Sequence, residues 1–199
     1  EIRIKYSETH INRIVDYENQ RFIDKKVTKY AIALVDLNSG FTQIRVDPPE
    51  TIHLHKDHTT GESKSRLYEE YYINEFRRIM ENCQFELYDL SRAAEWIVNS
   101  EPRVFRLPRE HVRTGFNSRQ IYSCKDDVRD DPAHQAAANE DASNWVYENL
   151  SGYWIPEQSQ GQISREIYMQ MKGKPSMIRF LADCLENEVN YAIKRIRDN

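Results

Sequence analysis

Apolar positions recur along the chain with two periods, and the switches between them mark the expected elements. Ile2, Ile4 and Tyr6 alternate with Arg3 and Lys5, the period of a half-buried strand. From Ser7 the spacing of Ile11, Ile14, Val15 and Glu18 predicts a short helix capped by the serine. Tyr30 to Asp36 is a nearly continuous apolar run of strand length, suited to a central strand buried on both faces. Leu37-Asn38-Ser39-Gly40 supplies turn chemistry, and Thr42, Ile44 and Val46 alternate again, so residues 29–47 read as a hairpin. Asp47-Pro48-Pro49 ends it, because proline cannot donate to a ladder.

Helical spacing returns from Ser65, where Tyr68, Tyr72, Phe76 and Ile79 lie three and four apart. A short strand is expected over 84–88. Asp89 or Ser91 then caps a helix whose apolar side is Leu90, Ala93, Ala94, Ile97 and Val98 and which stops before Pro102. Residues 103–125 look extended, with strands around Val104-Phe105 and Gln120-Ile121-Tyr122 joined through Thr114-Gly115. Pro132 opens a helix expected to run through Trp145 and to end near Ser151-Gly152. The segment Gly152 to Gln162 reads as a linker. A helix with Ile163, Ile167 and Met171 follows, then a break at Gly173-Lys174-Pro175, then a long helix bearing Ile178, Leu181, Leu185, Val189, Ala192 and Ile196. The pattern therefore predicts an α+β fold, a small and mostly antiparallel sheet packed with helices, over 1–151. A helical C-terminal extension over 152–199 is expected beyond it, packed on the same core or apart from it.

Composition narrows the function classes. The chain has 199 residues with a formal net charge of -4, which argues against coating nucleic acid through bulk positive charge and makes local charge the question. Cys83, Cys124 and Cys184 are odd in number, far apart and without a CxxC pair, which fits reduced thiols in a cytoplasmic protein. No apolar run approaches the roughly 20 residues that span a bilayer, so no membrane partner is expected. The chain begins without Met and ends on a charged tail, and it is expected to be a piece of something longer.

Two stretches carry candidate chemistry. Pro102 to Lys125 holds Arg103, Arg106, Arg109, Arg113, Arg119 and Lys125 against a single acid, Glu110, with Phe105, Phe116 and Tyr122 interleaved. Guanidinium groups pair with phosphates bidentately and aromatic faces stack on bases, so the stretch suits nucleic acid or an acidic protein partner. The competing expectation is that these arginines neutralise the acidic loop Asp126, Asp127, Asp130 and Asp131 that follows.

The second stretch, His53-Leu54-His55-Lys56-Asp57-His58, holds three of the six histidines. Neutral imidazoles suit zinc, and zinc lowers the pKa of a bound water to about 7. The motif resembles the HxHxDH signature of the metallo-β-lactamase fold superfamily, which implies a hydrolase holding zinc or another divalent metal on His53, His55, Asp57 and His58. Only Thr51-Ile52 could make a strand directly before it, and the further His, Asp and His ligands that the resemblance implies would have to come from His111, Asp126 to Asp131 and His134. No nucleophile elbow, phosphate-binding loop or dinucleotide fingerprint is present.

The first expectation is therefore a non-enzymatic regulatory or recognition module, part of a larger protein or assembly, using the arginine-rich stretch. The alternative is a metal-dependent hydrolase acting on phosphodiesters, as a phosphodiesterase or nuclease would. The sequence leaves open whether the protein is an enzyme and names no firm cofactor. The apolar stripe over 177–197 needs a partner, and a homodimer or a neighbouring domain is expected there.

Overall fold

In a computed structural model, which describes residues 1–47, 64–173, 176–181 and 183–199, strand β1 (Ile2–Asp16) runs straight through the helix expected from Ser7. It pairs antiparallel with β2 (Arg21–Val35) along its whole length, from Ile2 opposite Val35 to Asp16 opposite Arg21. β-Branched residues such as Thr9, Ile11 and Val15 suit the pleat, and a partner strand overrides a weak helical spacing. The Thr9 and Thr28 hydroxyls meet across the ribbon at 3.3 Å.

Strand β3 (Thr42–Val46) pairs only with Ala31–Val35, so β2 is central there, and Ala31, Ala33, Leu34 and Val35 are buried as their apolar run predicts. The Asp36 carboxylate shapes the connecting turn by accepting from the Asn38 backbone N–H at 3.0 Å and the Ser39 hydroxyl at 2.7 Å. Gly40 takes a φ of +71°, which favours glycine. Helix α1 (Lys64–Ile79) sets Phe76 in a small core with Ala33 and Val35. The strand expected at 84–88 does not form, and those residues pair with no ladder.

Contacts divide the chain into two units, Glu1–Phe85 and Glu86–Asn199, and the expected boundary at 151/152 falls inside a strand. The second unit opens with α2 (Leu90–Asn99), capped by Asp89, whose carboxylate accepts from the Ser91 N–H at 2.9 Å. Its buried face is Leu90, Ala93, Ala94, Ile97 and Val98, the side read from the sequence. Strands β4 (Phe105–Arg113) and β5 (Arg119–Ser123) form the expected hairpin, closed where the Thr114 N–H donates to the Ser118 carbonyl at 2.9 Å. Helix α3 (Pro132–Asp141) starts at Pro132 with Asp131 as its cap, but it ends ten residues before the expected stop near 151.

From there the expected helical tail is mostly sheet. Strands β6 (Val146–Trp154), β7 (Ile167–Lys172) and β8 (Met177–Phe180) complete an antiparallel sheet of order β5-β4-β6-β7-β8, and helix α4 (Glu186–Arg197) follows. The physical reason lies in the spacing. Ile163, Ile167 and Met171 are four apart, which fits a helix but is also an even number, so all three sit on one side of an extended chain. Met169 settles the difference, because Ile167, Met169 and Met171 are all buried while Tyr168, Gln170 and Lys172, which alternate with them, are half-buried.

Gly152, expected in a linker, lies in the centre of the sheet. A Cβ there would come within 2.1 Å of the Arg106 carbonyl oxygen. The long apolar stripe expected over 177–197 is broken in two, with Leu181 and Leu185 exposed and outside the helix, while Tyr191, Ala192 and Ile196 pack into this unit's own core. Among the described residues no helix is long and apolar enough to cross a membrane.

Candidate functional site

The five-stranded sheet is covered on one side. Phe105, Leu107, Val112, Leu150, Trp154, Met169 and Met171 form a single core with the buried residues of α2 and α4, and the Trp154 indole lies 5.7 Å from the Tyr191 ring. On the same side α3 reaches the sheet through His134, whose Nε2 lies 2.7 Å from Glu110 Oε1. Within this unit no described helix packs on the other side, where the polar half of each strand's alternation points.

A bulge decides which β4 residues face outward. Between Arg106 and Arg109 strand β4 advances three residues while β6 advances two, from Tyr153 to Ser151. Phe105 and Leu107 face the core, so strict alternation would bury Arg109 next. The extra residue sends Arg109 outward and Glu110 inward instead. Pro108, with no N–H to lose, sits in the irregular segment. The Leu107 N–H donates to the buried Asp127 carboxylate at 3.1 Å. That carboxylate also pairs with Arg129, which donates to the Ile97 and Val98 carbonyls at the end of α2 and to the Phe105 carbonyl.

Five of the six expected basic residues lie on β4 and β5 or just before them. Arg103, ahead of β4, pairs with Asp130 at 2.8 Å, the self-neutralising contact with the acidic loop. Arg106 pairs with Glu166 at 2.6 Å, and its guanidinium lies over the Tyr153 ring at 4.2 Å. Arg113 and Arg119 are cross-strand partners that share one carboxylate, Glu148, at 2.7 Å and 2.6 Å through their Nε atoms. Two guanidiniums on one carboxylate leave a net positive charge, and together they hold the Glu148 carboxyl below its ordinary range. Arg109 donates from Nε to His111 Nε2 at 3.2 Å, and among the described residues it forms no ion pair. The sixth residue, Lys125, is exposed beyond β5 and likewise makes no ion pair among the described residues.

His111 accepts that hydrogen bond as a neutral ring. Burial, followed by the charges of Arg109 and Arg119, lowers its pKa from the usual 6.5.

The sheet brings in further residues that the sequence reading passed over, because 146–172 was read as helix and linker. Tyr168 lies opposite Tyr153, their rings 4.8 Å apart, so Arg106, Tyr153 and Tyr168 form one row across β4, β6 and β7. In the neighbouring row Arg109, Ser151, Gln170 and Arg179 stand side by side, and Lys172 shares the register of Asn149 and His111. The alternation of Tyr168, Gln170 and Lys172 with Ile167, Met169 and Met171 was the signal in the sequence.

The opposite, buried side holds a polar cluster of another kind. Glu110 faces Tyr122 across β4 and β5, and His134 stands edge-on to both Tyr122 and Trp145, at 4.9 Å and 5.6 Å. Burial, then the charges of Glu110 and Glu95, raise the pKa of the Tyr147 phenol beside it. This cluster is closed off from solvent, with Glu110 fully buried and His134 nearly so.

His53, His55, Asp57 and His58, the expected metal ligands, lie outside the described residues. Among the described residues no group of three or more His, Cys, Asp or Glu side chains is placed to hold a metal ion. Comparison of the chain with protein-family models, with curated proteins and with solved structures finds no match.

Proposed function

We propose that the protein is a non-enzymatic recognition module that contacts a polyanionic partner, nucleic acid or an acidic protein, through the helix-free side of its five-stranded sheet. The observation that carries this reading is charge segregation. Strand positions on that side carry Arg106, Arg109, Arg113, Arg119 and Lys172, with Glu166 pairing Arg106 and Glu148 shared by Arg113 and Arg119, so among these described residues cations outnumber carboxylates in a chain whose formal net charge is -4. Arg113 and Arg119 are directly opposed and share one carboxylate, so the positive charge left over on this side favours an anion. Three free thiols, Cys83, Cys124 and Cys184, support a cytoplasmic setting.

The test is binding of fluorescently labelled nucleic acid and of polyglutamate, followed by anisotropy as salt is raised. The intact protein is expected to bind with an affinity that falls steeply with salt. Arg109→Ala with Lys172→Ala, two residues without an ion pair among the described residues, should weaken binding and reduce the salt slope by about one per lost phosphate contact. Absence of salt-dependent binding to any polyanion would remove the reading.

A further inference from the structure

Resting on that reading, we infer that the partner is an unpaired nucleic-acid strand, whose bases stack on the row formed by Arg106, Tyr153 and Tyr168. Charge alone does not choose between a duplex, an acidic protein and a single strand, since each offers anions. The row chooses. The Arg106 guanidinium, paired with Glu166, lies 4.2 Å over Tyr153, and the Tyr153 and Tyr168 rings, tilted 56° to each other, have centroids 4.8 Å apart, so three π-systems on three adjacent strands occupy one side of the sheet. Both tyrosines are half-buried on the side that no described helix of this unit covers. An aromatic face is complementary to a base face, and a duplex keeps its base faces stacked inside, where no sheet can reach them. The aspartate and glutamate side chains that make a peptide acidic offer no such ring face.

The flanking row supplies what a backbone needs. Arg109 stands beside Ser151 and Gln170 one register step from the aromatic row, and Lys172 lies two residues beyond Gln170 on the same side of β7. A strand laid across the sheet thus meets base-stacking groups in one row and phosphate-pairing groups in the next. Gln170 adds an amide that both donates and accepts, matched to a base edge. Because stacking is tolerant of base identity, broad sequence acceptance is expected.

The experiment compares four probes on the intact protein: a single-stranded RNA, a single-stranded DNA, the duplex of the same sequence and polyphosphate. The single strands are expected to bind about tenfold more tightly than the duplex. Tyr168→Leu should lower single-strand affinity about tenfold while leaving polyphosphate affinity and the salt slope unchanged, and Tyr168→Phe, which keeps the ring, should bind like the wild type. Far-UV circular dichroism of Tyr168→Leu confirms that the sheet persists. If it does not, quenching of the wild-type tyrosine fluorescence by single strands and not by polyphosphate serves in its place. Equal binding of single strand, duplex and polyphosphate, with Tyr168→Leu unchanged, overturns this inference and leaves polyanion recognition standing. No binding to any of the four overturns this inference, and failure to bind polyglutamate as well overturns both.

Discussion

Glu110 of β4 and His134 of α3 meet at 2.7 Å inside the core, and this contact ties the third helix to the sheet. The bulge at Leu107 and Pro108 is what turns Glu110 inward, and Pro132 with the Asp131 cap is what sets His134 in the first turn of its helix. The contact joins Glu110 Oε1 to His134 Nε2, and among the described residues Glu110 Oε2 and His134 Nδ1 have no hydrogen-bond partner. Removing one member of such a pair strands the other in an apolar setting, whereas removing both does not. Glu110→Ala is therefore expected to destabilise the protein by about 3–5 kcal/mol in urea unfolding. Glu110→Leu with His134→Leu should recover most of that loss, and a double variant as unstable as the single one would contradict the argument.

Acid should weaken the second unit through Asp127. Burial opposes ionisation of this carboxyl, but the hydrogen bonds and charge of Arg129 and the Leu107 N–H outweigh it and hold the folded pKa below 3.8. A carboxyl with a depressed folded pKa contributes stability that is present above its unfolded pKa and is lost as pH falls through the folded value. Stability should thus decline below about pH 4. Asp127→Asn should be less stable than the wild type at neutral pH and flatter across that acid range, as read by denaturation midpoints at a series of pH values.

Gly152 is a packing requirement. An added methyl would meet the Arg106 carbonyl oxygen at 2.1 Å and Phe105 Cε1 at 2.5 Å, where β4 and β6 approach. Gly152→Ala is expected to cost about 1–3 kcal/mol, the range for overpacking a close contact. Gly161→Ala makes a useful contrast, since open space surrounds that position and its cost would come from a φ of +79° alone.

His111 should make polyanion binding depend on pH. It is neutral at pH 7, its pKa lowered by burial and then by Arg109 and Arg119. In the free protein the unfolded chain takes up this proton first, so the residue costs stability as pH falls through 6.5. A bound anion reverses the preference by favouring the charged ring. Affinity is expected to rise as pH falls from 7 toward about 5, and His111→Gln should flatten that rise in anisotropy titrations.

The histidine motif has its own measurement. If His53, His55, Asp57 and His58 hold a divalent metal, calorimetric titration with Zn2+ should show one tight site that the triple alanine variant of His53, His55 and His58 lacks. Equal binding by both proteins would leave the hydrolase alternative without its centre.

Where the local signal was chemical as well as periodic, the sequence was a good guide. Asp89 before an apolar stripe marked α2 and all five of its buried residues, and Pro132 marked the start of α3. The 31–35 run marked the central strand of the first sheet. Where periodicity stood alone it misled. Ser7 to Glu18 fits a helix until the partner β2 is present, and the spacing of four from Ile163 to Met171 fits helix and strand alike. The candidate site was half legible for the same reason. Its arginines were visible as a dense cluster, but Tyr153, Tyr168, Lys172 and Arg179 lie in segments read as linker and helix.

Residue type and order alone determined that charge and aromatic rings concentrate between Pro102 and Lys125, that reduced thiols suit the three cysteines, and that helices begin at Leu90 and Pro132. These follow from side-chain chemistry and from local hydrogen bonding at caps, which need no distant partner. Only the tertiary structure decided that Glu148 lies between Arg113 and Arg119, that Glu110 points inward while Arg109 points out, and that Tyr168 joins Arg106 and Tyr153 in one row. Each depends on strand pairing between residues far apart in the chain, and a shift of one residue in that pairing reverses which face every side chain joins.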